Sequence, residues 1–178
     1  MKQLWSPWRM EYILSNRQEG CVFCDAFSAD PSGDRETLIV HRGAYSAVIM
    51  NLYPYNNGHL MVVPYAHQTT FEGLPPEALL EVMSLMNRAI AVLRKTMNAE
   101  GFNVGLNLGK AAGAGIDQHV HLHIVPRWTG DTNFFTTVGN VRCIPQDMQE
   151  SYELLRSAWN EDTEGRCAPA RGEQEPES

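Results

Sequence analysis

The feature that most constrains the fold is the stretch QHVHLHIVPRW at residues 118–128, in which polar and apolar residues alternate. His119, His121 and His123 are three of the six histidines in the chain. Side chains at every second position of a β-strand project from the same face of the sheet. The alternation therefore predicts a strand that presents three imidazoles on one face and buries the three aliphatic side chains between them.

A glycine-rich segment, GKAAGAGIDQ at residues 109–118, directly precedes this strand. Gly113 and Gly115 have no Cβ and tolerate unusual backbone angles, so backbone N–H groups in this segment can approach an anion closely. The two neighbouring segments together favour a site with three imidazoles beside a phosphate-binding loop.

Two other structures also contain alternating histidines: a plain polar sheet face and a metal centre of the cupin kind. A cupin centre needs a carboxylate a few residues after His–x–His, whereas the first acidic residue after this strand is Asp131. Three histidines in register behind a glycine loop also exceed what a polar face requires. Both alternatives are therefore disfavoured.

Length and composition limit the function classes. The chain has 178 residues, enough for one domain with a buried core, and a formal net charge of −7. We therefore expect neither duplex nucleic acid as a partner nor, since no apolar run is long enough, a membrane span. The first residues lack the features of a signal peptide, so four cysteines favour a reducing compartment, and we expect a cytoplasmic protein.

Local patterns predict a mixed α+β fold. Apolar residues at helical spacing, with Pro75 and Pro76 at the start and Gly101 past the end, predict one long helix. A second helix is predicted at 145–159, and the polar composition of residues 160–178 predicts a disordered tail. Hydrophobic runs bounded by Gly, Pro and Asn predict strands at 37–41, 44–52, 60–64, 102–108 and 119–126.

Cys21 and Cys24 form a Cys–x–x–Cys pair, which occurs in zinc sites and in redox-active dithiols. The redox motif needs a strand–helix context that the surrounding CVFCDAFSADPSG does not indicate. Two thiolates in a structural zinc site require two further ligands to complete a tetrahedron. The other two cysteines, Cys143 and Cys167, have no partner at a ligand spacing.

The stretch HVHLHIVPR resembles the His–φ–His–φ–His–φ–φ signature of the histidine triad (HIT) superfamily, where φ is a hydrophobic residue. NLYPYNNGHLMVVPYAH is similar to the strand–turn–strand that precedes the long helix of that superfamily. LWSPWRMEYI, GFNVGLNLG and PRWTGDTNFFTTVG are similar to its branch of bacterial diadenosine polyphosphate phosphorylases. The resemblance implies one HIT domain over residues 1–159, with a five-stranded antiparallel sheet, one long helix and a C-terminal helix, assembled as a homodimer.

The resemblance also implies chemistry at the α-phosphate of dinucleoside polyphosphates such as diadenosine tetraphosphate. His121, the middle histidine, is the implied nucleophile and forms a nucleotidyl-imidazole intermediate. His123 is placed to hydrogen-bond a phosphate oxygen or the leaving oxygen, while His119 orients the strand or holds a metal.

Zinc-bearing members of the superfamily join a Cys–x–x–Cys pair to two histidines, one after the VVP strand and one that is the first of the triad. The matching positions here are Cys21, Cys24, His67 and His119. The implied zinc is structural, because it clamps the N-terminal arm to the sheet and fixes the tautomer of His119.

Further residues are implied to bind the substrate. Asn107 matches an asparagine that contacts phosphate, and Asn51 stands where a ribose-binding Asp is usual, although an amide can also bond ribose hydroxyls. Many members carry Gln followed by Ser or Thr shortly before the first triad histidine, whereas this chain has Gly115 and Ile116. Backbone N–H groups of residues 112–115 must then replace those side chains. The expected substrate-binding residues are Asn51, Asn107, Lys110, Gly113, Ala114, Gly115 and Arg127.

Several activities stay open for such a site. Phosphate as the second nucleophile gives a phosphorylase, and water gives a hydrolase. The alternatives are a purine nucleoside phosphoramidate or AMP-conjugate hydrolase and a nucleotide-binding regulatory protein with little turnover. Trp5, Trp8 and Arg9 are suited to contact either a substrate or a partner subunit. His41 and His59 have no partner that the sequence identifies, and we expect both at a turn or at the surface.

Overall fold

The computed structural model describes residues 20–132 and 146–161, together with residues 138 and 144. Within these residues the strands are β1 (Ile39–Arg42), β2 (Ser46–Met50), β3 (Leu60–Pro64), β4 (Gly101–Gly105) and β5 (Leu122–Arg127). The helices are α1 (Val22–Ser28), α2 (Pro76–Met97) and α3 (Met148–Glu161). No helix in this part of the chain is long and apolar enough to cross a membrane.

The strands form one antiparallel sheet in the order β1-β2-β3-β5-β4, which confirms the predicted α+β architecture. β1, β2 and β3 are neighbours in chain order. α2 then carries the chain to the far edge, where β4 lies, and β5 returns between β3 and β4. The histidine-bearing strand is therefore an interior strand, and its backbone is held by hydrogen bonds on both sides.

This strand differs from the prediction at both ends. The ladder begins at Leu122, so His119 and His121 lie in the segment just before β5. β3 ends at Pro64, whose carbonyl oxygen accepts a hydrogen bond from the His119 imidazole at 2.8 Å rather than from a backbone N–H. Pro126 lies inside β5 because β3 pairs only with the first three residues of β5, so no ladder bond from Pro126 is needed on that side.

Both long helices cover the same face of the sheet. α2 packs on β2, β3 and β5, and α3 packs on β1 and on α2. Val82 and Leu93 of α2 are completely buried, as are Leu155 and Trp159 of α3. The predicted apolar positions of the long helix therefore face the core except for Met83, which is 50% exposed, so the expectation that it fills the core is wrong. α3 continues to Glu161, two residues beyond the predicted end, and the rest of the predicted tail lies outside the described residues.

α1 is a helix that the sequence patterns did not predict. Cys21 is the residue before its first turn, and Cys24 lies within it. The ring of Phe23 packs on the imidazoles of His119 and His121, with centroid distances of 5.4 and 5.2 Å. α1 therefore covers the histidine side of β5, opposite the long helices.

Candidate active site and metal site

The structure brings the three histidines of the signature together in a buried cluster. His119, His121 and His123 are 0%, 7% and 8% exposed. The rings of His121 and His123 meet edge to face, with centroids 4.6 Å apart. Burial is the largest cause that lowers the pKa of each of the three, so all three imidazoles are neutral near pH 7.

The backbone fixes the tautomer of His121. Its Nδ1 lies 2.8 Å from the carbonyl oxygen of His119, and a carbonyl can only accept a hydrogen bond. Nδ1 therefore carries the proton, and the lone pair of the neutral ring is on Nε2. No described residue hydrogen-bonds to that Nε2. A neutral imidazole with an available lone pair is a competent nucleophile.

His59 is a fourth member of this cluster. It directly follows a turn, which was one of its two expected places, but the expectation that it lies at the surface is wrong. Its side chain is completely buried, and its Nε2 lies 3.0 Å from Nδ1 of His123. The only signal in the sequence was that His59 directly precedes β3, in which Met61 pairs with His123. Recognising that signal requires the register of β3 on β5, which a single sequence does not supply.

The burial of this pair depresses two pKa values strongly. Desolvation, assisted by the neighbouring histidines, lowers the pKa of His59 to about 3. The same causes lower the pKa of His123 to about 4. The cluster therefore offers an anion hydrogen-bond donors rather than a charge on the imidazoles.

These two pKa values predict acid sensitivity. Both histidines titrate near pH 6.5 in the unfolded chain, which therefore binds more protons than the folded chain between about pH 6.5 and about pH 4. When the pH falls from 6.5 to 5, we expect each of the two histidines to lower the free energy of unfolding by about 2 kcal/mol. Urea titrations at the two pH values measure this loss, and His59→Gln should remove about half of it. Equal unfolding free energies at both pH values would contradict the assignment.

The two asparagines expected to bind substrate border the cluster. β4 ends at Gly105, which pairs with His123, and Asn107 follows two residues later, so an extension of the same register would bring it opposite His121. Asn51 follows β2, and its side chain is directed into the cluster. Its Nδ2 lies 3.3 Å from Nδ1 of His59, and its Oδ1 accepts a hydrogen bond from the N–H of Tyr53.

The glycine-rich loop differs from the expected anion cradle. The N–H groups of Ala112, Gly113 and Ala114 donate to carbonyls within the loop itself. Of the four N–H groups expected to bind an anion, only that of Gly115 is not used in these hydrogen bonds. Gly113 has a φ of +84°, and a side chain at this position would have open space around its Cβ. The backbone conformation therefore favours glycine here, and no neighbouring atom lies close enough to require it. Lys110 is mostly exposed, with its Nζ 3.7 Å from Asp117.

Arg127 lies at the end of β5 with its guanidinium occupied by protein oxygens. Nε and Nη2 donate to Asp131 at 2.6 and 2.7 Å, and Nη1 donates to Asn103 at 2.6 Å. This ion pair holds the pKa of Asp131 far below its usual range. The contacts give Arg127 a structural role that the sequence did not indicate, since the spacing does not show which acidic residue it meets.

The four expected metal ligands meet beside the histidine cluster. The ligand atoms of Cys21, Cys24, His67 and His119 lie within 4.8 Å of one another, so this set can bind a metal ion. The Nε2–H of His119 donates to Pro64, which leaves the lone pair of Nδ1 directed at the thiols, 3.3 Å from Cys21 Sγ and 3.6 Å from Cys24 Sγ. Two sulfur and two nitrogen ligands are a donor set typical of tetrahedral sites.

Comparisons with known proteins agree with this geometry. The HIT domain family model matches residues 32–130. The chain is 40% identical over 165 residues to the AP-4-A phosphorylase of Mycobacterium tuberculosis, and the alignment covers 89% of this chain and 85% of the relative.

The expected roles of five residues stay predictions, because these residues lie outside the part of the chain that the structure describes: Trp5, Trp8, Arg9, Cys143 and Cys167.

Solved structures give the same result. A Zn-bound histidine triad family protein from Mycobacterium smegmatis superposes with a TM-score of 0.66 at 31% identity, covering 83% of this chain and 98% of that chain. A hypothetical histidine triad nucleotide-binding protein from Sulfolobus tokodaii gives a TM-score of 0.61 at 28% identity, covering 81% and 92%. The chain therefore belongs to the HIT domain family, as its histidine signature predicted.

Proposed function

We propose that the protein is an enzyme that transfers a nucleotidyl group from a dinucleoside polyphosphate, such as diadenosine tetraphosphate, to inorganic phosphate. The observation that carries the proposal is the lone pair on His121 Nε2, fixed by the carbonyl of His119 and adjacent to the His123 ring. The AP-4-A phosphorylase relative supports phosphate as the acceptor.

The reaction takes place in two displacements. In the first, His121 Nε2 attacks the α-phosphorus, a P–N bond forms, and the P–O bond to the leaving nucleotide breaks. The ring then carries a positive charge, which the carbonyl oxygen of His119 stabilises through the retained Nδ1–H. In the second, an oxygen of phosphate attacks the same phosphorus, the P–N bond breaks, and the imidazole is neutral again. From diadenosine tetraphosphate the products are ATP and ADP.

The remaining site residues take supporting roles in this proposal. His123 stabilises the leaving oxygen, Asn107 contacts the phosphate, and Asn51 contacts the ribose. Asn107 is supported by the continued β4 register, and Asn51 by its place at the edge of the buried cluster. The N–H of Gly115 and the exposed side chain of Lys110 complete the proposed substrate contacts. Gly113 and Ala114 shape the loop that presents this N–H, and Arg127 takes part only by fixing the end of β5 through Asp131.

The metal in this proposal is zinc, held by Cys21, Cys24, His67 and His119. The mixed thiol and imidazole donors suit zinc, and the relative from Mycobacterium smegmatis is described as Zn-bound. When bound, the metal would cross-link the α1 segment to the sheet and would take no part in the reaction.

We also propose a cytoplasmic homodimer with a single domain over residues 1–159 and a tail over residues 160–178. Cys21 and Cys24, which are assigned to the metal and not to a disulfide, support a reducing compartment. β4 is an edge strand that exposes Val104, and Leu108 beyond it is also exposed, so this edge offers unpaired backbone groups to a second copy.

A product assay tests the proposed activity. The protein is incubated with diadenosine tetraphosphate in buffers with and without inorganic phosphate, and the nucleotides are separated by chromatography. We expect ATP and ADP only when phosphate is present. ATP and AMP in both buffers would establish hydrolysis instead. No product in either buffer, together with turnover of an adenosine phosphoramidate or tight AMP binding alone, would replace the proposal by one of the two alternative functions.

A further inference from the structure

His123 has two neighbours directly across the sheet, and the two differ in size. Met61 of β3 pairs with it on one side, and Gly105 of β4 pairs with it on the other. Residues that pair in an antiparallel ladder project their side chains from the same face, with Cβ atoms about 5 Å apart. Met61 is buried, whereas Gly105 has no side chain and is exposed. Position 105 therefore decides how much space lies beside the His123 ring on the β4 side.

The β3 side of that ring is closed. In addition to Met61, the ring of Tyr55 covers His123 at a centroid distance of 5.5 Å and is nearly parallel to it. On the β4 side, a Cβ at position 105 would have no atom of the described residues within 4 Å. A group that leaves from beside His123 can therefore extend over β4 but not over β3.

The backbone does not require a glycine at position 105. The residue lies in β4, and its φ is not positive, unlike that of Gly113. Any L-amino acid adopts this conformation, and glycine in a strand often marks the close approach of a ligand or of another backbone. A second chain that pairs with the edge of β4 lies in the plane of the sheet, whereas a side chain at position 105 would project from its face. The glycine therefore indicates a ligand.

We propose that Gly105 is a specificity-determining residue, which keeps open the path by which the leaving nucleotide extends from His123 over β4. This inference rests on the proposed function for the identity of the leaving group, a nucleoside polyphosphate. A side chain at position 105 would occupy the place of the phosphate next to the bond that breaks. It would exclude the departing half of the substrate and not the nucleotide that becomes attached to His121, so only small leaving groups would be accepted.

The residues along this path suit a chain of phosphates. β4 has the sequence GFNVG and carries no charged residue. Asn103 lies on the same face as Gly105, about 7 Å further along the strand. Its Oδ1 accepts a hydrogen bond from Arg127 at 2.6 Å, so its Nδ2 is the atom available to phosphate oxygens. The carboxylate of Asp131, which would repel phosphate, is paired with Arg127. A polyphosphate therefore meets an amide donor and a neutralised ion pair on this side of the site.

Three variants test the role of Gly105. Gly105→Val places a β-branched side chain, which strands favour, in the path, and Gly105→Ala places a single methyl group there. Gly101→Val is the matched control, because it makes the same change on the same face of β4, about 13 Å away from Gly105. A Cβ at position 101 would meet only the Cβ of Arg127, at the ordinary contact distance of 3.9 Å.

Isothermal titration with two ligands measures the effect. AMP represents the nucleotide whose phosphorus is attacked, and a diadenosine tetraphosphate analogue with methylene groups in place of its α,β-bridging oxygens represents the whole substrate without being cleaved. We expect Gly105→Val to weaken binding of the analogue by at least about tenfold with little change for AMP. Gly105→Ala should weaken it less, and Gly101→Val should bind both ligands as the unmodified protein does.

The affinity for AMP also shows whether each variant is correctly folded. Equal losses for both ligands in the two Gly105 variants overturn the proposal, as does an unchanged affinity for the analogue in Gly105→Val. The proposal also fails if the unmodified protein binds the analogue no more tightly than AMP. The titrations need no turnover. A selective loss in Gly105→Val together with no formation of ATP and ADP by the unmodified protein would therefore contradict the proposed reaction and support this inference.

Discussion

His121→Ala is expected to lower kcat/KM for diadenosine tetraphosphate by at least about 10⁴-fold, because loss of the atom that forms the covalent intermediate cannot be compensated by binding. The ring is held at Nδ1 by the carbonyl of His119, and no other neutral nitrogen in the cluster has a free lone pair in the same direction. His119 directs its lone pair at the thiols. Nδ1 of His123 accepts from Nε2–H of His59, because Nδ1 of His59 itself accepts from the N–H of Tyr55. Steady-state assays with phosphate present measure the loss.

The intermediate itself provides a second measurement. Acid or denaturant quench during turnover, followed by intact-protein mass spectrometry, should detect a mass increase of one AMP in the unmodified protein and none in His121→Ala. His41→Ala is the matched control, because the ring of His41 stacks on Trp159 of α3 and is outside the cluster. We expect this control to form the adduct. An adduct of equal yield in His121→Ala would disprove the assignment of the nucleophile.

Removal of the metal is the second change with a large expected effect. A ligand that binds only the folded state stabilises it by about 4 kcal/mol when its free concentration is 1,000 times the dissociation constant. We therefore expect purified protein to contain one zinc per chain, and expect Cys21→Ser, or a strong chelator, to lower the free energy of unfolding by about this amount. Thermal unfolding and elemental analysis on the same samples test both parts.

The chain provides a control for the cysteine substitution. Cys143→Ser makes the same chemical change at a cysteine that has no partner at a ligand spacing, and it should leave the zinc content unchanged. The folded fraction of Cys21→Ser should retain the tautomer of His121, since that depends on a backbone carbonyl. Full zinc occupancy in Cys21→Ser would contradict the assigned ligand set, as would an absence of zinc from the unmodified protein.

Several features of the fold were predictable because their signals are local. The alternation around His121 and the helical spacing of α2 each repeat within a few residues, and the sheet and the long helix follow from them. The cluster that can bind a metal ion was also predictable, since Cys21 and Cys24 belong to one Cys–x–x–Cys motif and the resemblance supplied the two histidines.

Other features depend on contacts between distant segments. His59 meets His123 only through the register of β3 on β5, and Arg127 is occupied by Asp131 only because the chain turns back after β5. The N–H of Gly113 donates to the carbonyl of Lys110 in the same loop, and this bond depends on a turn geometry that amino-acid composition does not specify. Pairwise geometry of this kind is set by tertiary packing, so one sequence with no structure leaves it open.

His119 contributes to two neighbouring sites through different parts of the same residue. Its imidazole belongs to the cluster that can bind a metal ion, whereas its main-chain oxygen accepts the Nδ1–H of His121. Every amino acid has that oxygen, so replacement of the side chain alone leaves the anchor of His121 in place. During evolution a protein built this way can lose its thiols and its capacity to bind a metal, one substitution at a time, and still keep the orientation of the His121 ring.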